Sequence, residues 1–242
     1  MKKHPICLLL TSCMRPLEGT PTVARPLLMD REKDYVLAFK FYMKLGLPIV
    51  FVENSDYHSE QINRLGEQIP GFEYFTFMTR VSIQGKGHGE AEIIHYAMQN
   101  SELLKQSEWI VKITGRYKIH NLTELIANLN PPEAQVLVNW GRNLSMSDTR
   151  VMFLKEDFIR NYLLPFMNQH LLERDGLYFE TVFARSVHQY LADGHRSGLW
   201  PAYPEYFGIN GSNGRVVKFS MWRKLKFKYY YSIKRWIYYQ MV

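Results

Sequence analysis

The chain has 242 residues, 46% hydrophobic and 22% charged, enough for one large domain with a sizeable core or one domain plus a short appendage. No window of about 18 consecutive apolar residues occurs, which argues against a membrane-spanning helix. The net charge of +7 sits at one end: residues 206–242 hold eight Lys and Arg and no Asp or Glu, leaving 22 basic against 23 acidic side chains elsewhere. A nearly neutral body offers no extended basic groove, which counts against nucleic acid as its main ligand.

The apolar run Ile6–Leu10 is shorter than a secretory h-region of roughly 7–15 residues and predicts a buried first strand instead. Cys7 and Cys13 would then be roughly 20 Å apart, too far for a disulfide, and are expected as reduced, buried thiols of a cytosolic protein. Asp30 can cap a helix over 31–45, whose Tyr35, Val36, Phe39, Tyr42 and Met43 recur at helical spacing before Gly46. A second strand spans Pro48–Asp56 and a third Phe72–Met78. A glycine-rich turn, Gln84–Glu90, leads into a helix ending near Leu104. Further strands are expected at Trp109–Thr114, Ala134–Trp140 and Val151–Leu154, and helices at 122–129, 156–167 and 178–191. Trp200–Gly214 reads as loop. The alternation predicts an α/β fold with a mainly parallel sheet over residues 1–217, followed by a tail over 218–242.

Ligands of such sheets bind beyond the carboxyl ends of strands. Thr11, Arg15, Asn54, Asp56, Lys86–Glu90 and Thr114–Tyr117 fall there. In Gly85–Glu90 the glycines, among them Gly87 and Gly89, allow close backbone approach. The helix start and Lys86 together suit phosphate, against the plainer reading of a flexible turn. The spacing matches neither the dinucleotide fingerprint nor the P-loop. Lys112, Thr114, Gly115 and Arg116 end a central strand without a carboxylate; Arg116 can pair with a diphosphate and Tyr117 can stack on a base or sugar. Glu180, at the start of a helix, is a candidate general base, with Asp148 and Glu173 as weaker candidates. Asn210, Ser212, Asn213 and Arg215 lie in a donor-rich loop that could close over a ligand or serve as a linker. The eight histidines show no metal-binding spacing.

Together, Gly85–Ala97, Lys112–Tyr117, Tyr178–Glu180 and Pro204–Gly214 resemble glycosyltransferases of bacterial lipopolysaccharide and capsule gene clusters, and more widely the GT-A type of nucleotide-sugar transferase. That resemblance implies nucleotide held by Thr11, Arg15 and Asn54, donor sugar near the glycine-rich helix start, and Glu180 as base. It also implies a glycan or lipid-linked acceptor. The family's Asp-x-Asp pair is replaced by Thr114-Gly115-Arg116, so no metal or other cofactor is predicted.

In the tail, Trp222, Leu225, Tyr229, Ile233 and Trp236 recur at helical spacing among Arg223, Lys224, Lys226 and Lys228. A basic amphipathic helix of this kind suits an anionic membrane surface, so a cytoplasmic protein peripheral to the inner face of the cell membrane is expected. The alternatives are a helix packed on the domain through its aromatic face, and single-stranded nucleic acid as partner. Another nucleotide-using transferase is the remaining alternative for the body.

Overall fold

The computed structural model describes residues 4–20, 24, 27–81, 84–129, 133–141, 143–211, 213–217 and 219–241. Strand β1 (His4–Ser12) is the centre of the fold. Its residues alternate between two cores: Ile6, Leu8 and Leu10 face one, Cys7 and Leu9 the other. A strand buried on both faces needs this continuous apolar run. Helix α1 (Leu28–Tyr42) leads to β2 (Ile49–Glu53), α2 (Glu60–Gly66) to β3 (Phe72–Thr76), and α3 (Lys86–Asn100) with α4 (Glu102–Lys105) to β4 (Ser107–Thr114). All four strands are parallel.

The second half is less regular. It runs through β5 (Lys118–Ile119), α5 (Leu122–Ala127), β6 (Val136–Val138), the hairpin β7 (Trp140–Gly141) and β8 (Met146–Ser147), and β9 (Val151–Leu154). Next come α6 (Glu156–Phe158) and α7 (Leu164–His170), joined by a π turn at Ile159–Leu163, and then α8 (Phe179–Ala192). The chain closes with β10 (Gly198–Leu199), β11 (Tyr206–Ile209), β12 (Val216–Val217) and α9 (Met221–Met241). The main sheet has the order β10-β6-β9-β4-β1-β2-β3, and β9 is antiparallel to both neighbours. It is therefore an α/β fold with a largely parallel sheet between helices. The strand expected at Val151–Leu154 exists, but it runs opposite to the others.

Other local expectations change too. Asp30 lies in the first turn of α1, and the cap position belongs to Leu27, with no side-chain cap bond. The long helix expected after Gly85 breaks at Ser101, whose hydroxyl accepts the Leu104 N–H and caps α4. Pro165, in the first turn of α7, has no N–H for the preceding turn, and the π turn sits there. Trp200–Gly214 is not all loop: β11 pairs with β5 and β12 in a small second sheet. Both thiols are free, and burial pushes Cys7 up to about 12 and Cys13 up to about 11.

The tips of β1 and β2 are tied by Glu53, which is fully buried. Its carboxylate accepts the N–H groups of Met14, Ser55 and Tyr57 and the Ser55 hydroxyl, at 2.5–2.9 Å. Glu53→Leu leaves these donors buried without partners and should lower unfolding free energy by roughly 2–4 kcal/mol. Urea denaturation measures the loss; an unchanged midpoint would show that the carboxylate does not hold the two loops.

Candidate functional site

Beyond the carboxyl ends of β1, β2 and β4 lies a narrow recess of about 100 Å³ lined by Thr11, Asn54, Glu90, Thr114 and Gly211, with three cations: Arg31, Lys86 and Arg116. A second cavity, about 540 Å³, shares the wall formed by Lys86, Glu90, Thr114 and Arg116 and reaches Arg150, Glu173, Phe179 and Glu180.

The floor is a buried ion pair. Lys112 has no exposed side-chain surface, and its ammonium contacts the Glu90 carboxylate and donates to Thr149 O at 2.7 Å. Glu90 Oε1 also accepts the hydroxyls of Thr11 and Thr114, each at 3.0 Å. Burial pulls the Lys112 pKa down, and Glu90 opposes that. Lys112, expected to touch a donor, is instead a neutralising support beneath Glu90.

The cations arrive from separate elements. Arg31 comes from the buried side of α1 and donates to Cys13 O. Lys86 opens α3, and its ammonium donates to Gly211 O at 3.3 Å. Arg116 follows β4, its guanidinium 5.3 Å from the Tyr117 ring centre. Burial first, then Arg116 and Arg31, pull Lys86 down to about 8. Arg116 Nε and Asn54 Oδ1 are buried without a hydrogen-bond partner. Asn54 Nδ2 donates to Gly89 O.

The glycine-rich helix start behaves differently from expectation. Gly87 N–H donates to Glu173 Oε2 at 2.9 Å, and His88 N–H and Nδ1 lie 3.4 and 3.3 Å from the same oxygen. The anion at this helix N-terminus is therefore the protein's own carboxylate. Gly85 adopts φ +153°, a conformation that L side chains rarely take, and a Cβ there would also displace the Glu173 carboxylate.

Other expected residues separate. Arg15 lies over Tyr57, 5.4 Å from its ring centre, and lines neither cavity. Gly115 donates its N–H to Thr11 O at 2.8 Å and locks the two strand tips together. Tyr117 is buried, edge-on to Tyr206, so its ring face is not open for stacking. Asp148 is held by Arg150 at 2.5 Å and by Tyr206 at 3.3 Å and lines neither cavity. Asn210 lines the larger cavity, Asn213 accepts the Arg215 N–H, and Ser212 lies outside the described residues. Glu180 lines the larger cavity. Its pKa is raised by burial and by Glu90 and Asp148, against a smaller lowering by its own backbone and Lys112.

Arg31 and Glu53 were missed in the sequence. The available signal for Arg31 was its place on the stripe Arg31, Tyr35, Ala38, Tyr42: an arginine on the buried side of a helix needs a partner. Among the described residues, no three His, Cys, Asp or Glu side chains gather to hold a metal ion.

Lys112→Met should destabilise the fold by about 3 kcal/mol or more, since it leaves Glu90 without its cation. Adding Glu90→Gln should restore part of that loss. Equal stability of wild type and Lys112→Met in denaturant titrations would contradict the pairing.

No protein-family model and no curated protein matches the chain. Among solved structures it is similar to the glycosyltransferase GlyE of Streptococcus pneumoniae, at 10% identity and TM-score 0.46, over 81% of this chain and 45% of that one. The chain thus spans less than half of that protein. It is similar to a glycosyltransferase involved in glycosylation of the major capsid of PBCV-1, at 15% identity and TM-score 0.45, over 81% of each chain. It is also similar to the inositol-1-phosphate CTP transferase of T. maritima, at 11% identity and TM-score 0.42, over 83% of this chain and 86% of that one.

Proposed function

We propose that this chain is a GT-A-like glycosyltransferase that moves a sugar from a nucleoside-diphosphate donor to a hydroxyl of a glycan or lipid-linked acceptor, as in surface-polysaccharide assembly. The observation that carries this reading is the convergence of Arg31, Lys86 and Arg116 on one recess, with a buried Arg116 N–H that has no partner. Three cations held together repel one another, and a diphosphate would relieve that repulsion. A divalent metal fits poorly beside them, because it would add positive charge where the GT-A family places a carboxylate pair.

In the proposed reaction the donor phosphates lie against Lys86 and Arg116, and the sugar extends into the larger cavity toward Glu180. Glu180 accepts the proton of the acceptor hydroxyl as its oxygen bonds to the anomeric carbon. The bond from that carbon to the phosphate oxygen breaks, and its electron pair leaves with the nucleoside diphosphate. Negative charge therefore grows beside the cations. The raised pKa of Glu180 makes it a stronger proton acceptor than an ordinary carboxylate, once it is ionised.

Thermal-shift screening against nucleoside diphosphates and their sugars tests the binding half. Arg116→Ala should abolish the shift. Glu180→Gln should keep the shift and lose transfer at least about a hundredfold. Pyrophosphate release from a nucleoside triphosphate, with no sugar transfer, would replace this reading by nucleotidyl transfer. Strict dependence of transfer on Mn²⁺ would sink the metal-free arrangement.

A proton linkage follows from Lys86. In the free protein it loses its proton near pH 8, and a bound diphosphate restores its affinity for that proton. Binding should therefore take up protons above about pH 8, and affinity should fall as pH rises through that value. Lys86→Arg should flatten the dependence. Calorimetry in buffers of different ionisation enthalpy reads the uptake, and its absence at pH 8–9 would exclude a direct contact between Lys86 and the phosphates.

A further inference from the structure

We propose that the outward face of α9 docks on an anionic bilayer surface. The helix is already anchored on its other side. Tyr231 is buried, and its hydroxyl meets the Asn139 side chain. Phe227 stacks on Tyr203 at 4.1 Å between ring centres. Lys234 donates to Trp140 O at 2.6 Å, Arg235 to Pro201 O at 3.0 Å, and Tyr238 meets the Ser197 hydroxyl at 2.6 Å. The aromatic packing expected as an alternative for the tail is thus present, and it uses only one face.

The opposite face is apolar and open. Trp222 is 83% exposed, Tyr229 77%, Trp236 67%, Ile233 57% and Leu225 53%. At about 100° per residue these five fall within a sector of about 80°, while Phe227, Tyr231, Lys234 and Tyr238 lie on the far side. Two indoles and a phenol along one solvent-facing stripe need an apolar partner, and the body of the protein does not supply it.

Charge decides which partner. Residues 206–242 carry eight Lys and Arg and no acidic side chain. Lys226 is exposed just beside the stripe, about 20° beyond its edge, and Arg215 is exposed just ahead of the helix. Arg223, Lys224 and Lys228 are described only as helix backbone. A second copy of this face would bring the same charge against itself. An anionic headgroup layer accepts bases, indoles and aliphatic side chains together, with the helix lying in the plane of the interface. Among the described residues, no helix is long and apolar enough to cross a membrane.

Co-sedimentation of the full chain with vesicles tests the proposal. Vesicles of phosphatidylcholine with phosphatidylglycerol should bind the chain and shift its tryptophan emission to the blue; phosphatidylcholine alone should not. Replacing Trp222, Tyr229 and Trp236 together by Ser should weaken binding at least about tenfold with an unchanged melting temperature, because these side chains touch solvent. A variant that melts earlier is replaced by Trp222→Ser alone, at the most exposed of the positions. Equal binding by the folded variant, failure to bind anionic vesicles at low salt, binding of single-stranded oligonucleotide without vesicle binding, or self-association through this face would each overturn it.

Discussion

The site is built around a lysine that the sheet has taken out of water. Lys112 is itself fully buried on β4, where an ammonium is costly unless a carboxylate and a carbonyl receive it. Glu90 and Thr149 O do so. Because Glu90 belongs to α3, this requirement pulls the first turns of that helix against the tips of β1 and β4. The hydroxyls of Thr11 and Thr114 fix the carboxylate further. Lys86 lies one turn before Glu90, so the same contact sets where its ammonium can reach. Arg116 follows Lys112 by four residues, just past the end of the strand. One buried pair therefore places two of the three cations of the recess.

Much of the framework was legible in the sequence because its signals are local. The apolar runs of β1, β2 and β4 and the helical stripe of α1 depend on burial that nearby residues reveal. The antiparallel setting of β9 was not legible, since Val151–Leu154 reads the same in either direction. The strand β11 was hidden because Gly208 and its neighbours carry turn chemistry, while the pairing with β5 comes from a segment far away in the chain. At the site, chemistry-bearing residue types were readable but their partners were not. Glu90 and Lys112 both looked like ligand contacts; only the fold shows that they meet. Glu173 was read as a weaker candidate base, yet it answers the helix start that the glycines suggested for phosphate.

The hairpin of β11 and β12 adds a steric condition. Its turn residue Gly211 faces Arg116 so closely that a Cβ there would lie 2.8 Å from the guanidinium carbon. Gly211 O accepts from Lys86, so a backbone dipole occupies part of the space where a phosphate oxygen would lie in the proposed complex. The exchange favours a ligand with full negative charge, because a carbonyl offers only a partial one. The hairpin also pairs with β5, which follows directly on Arg116 and Tyr117.

The same lysine also contributes at the other end of the cavity, as one of several influences on Glu180. Glu180 is pushed up by burial and by the carboxylates of Glu90 and Asp148, and Lys112 pulls it back. In the proposed reaction these opposing influences matter, since a base must be ionised before it can take a proton. Lys112 and the backbone hydrogen bond at Glu180 both favour the ionised form, against burial and the two carboxylates. In the proposed complex the leaving phosphates meet Lys86 and Arg116, and the acceptor hydroxyl meets Glu180, in the cavity that these three residues line together. Charge can move from hydroxyl to leaving phosphate without either end being left uncompensated. On this account, the support beneath the floor matters to the chemistry as much as the groups that line it.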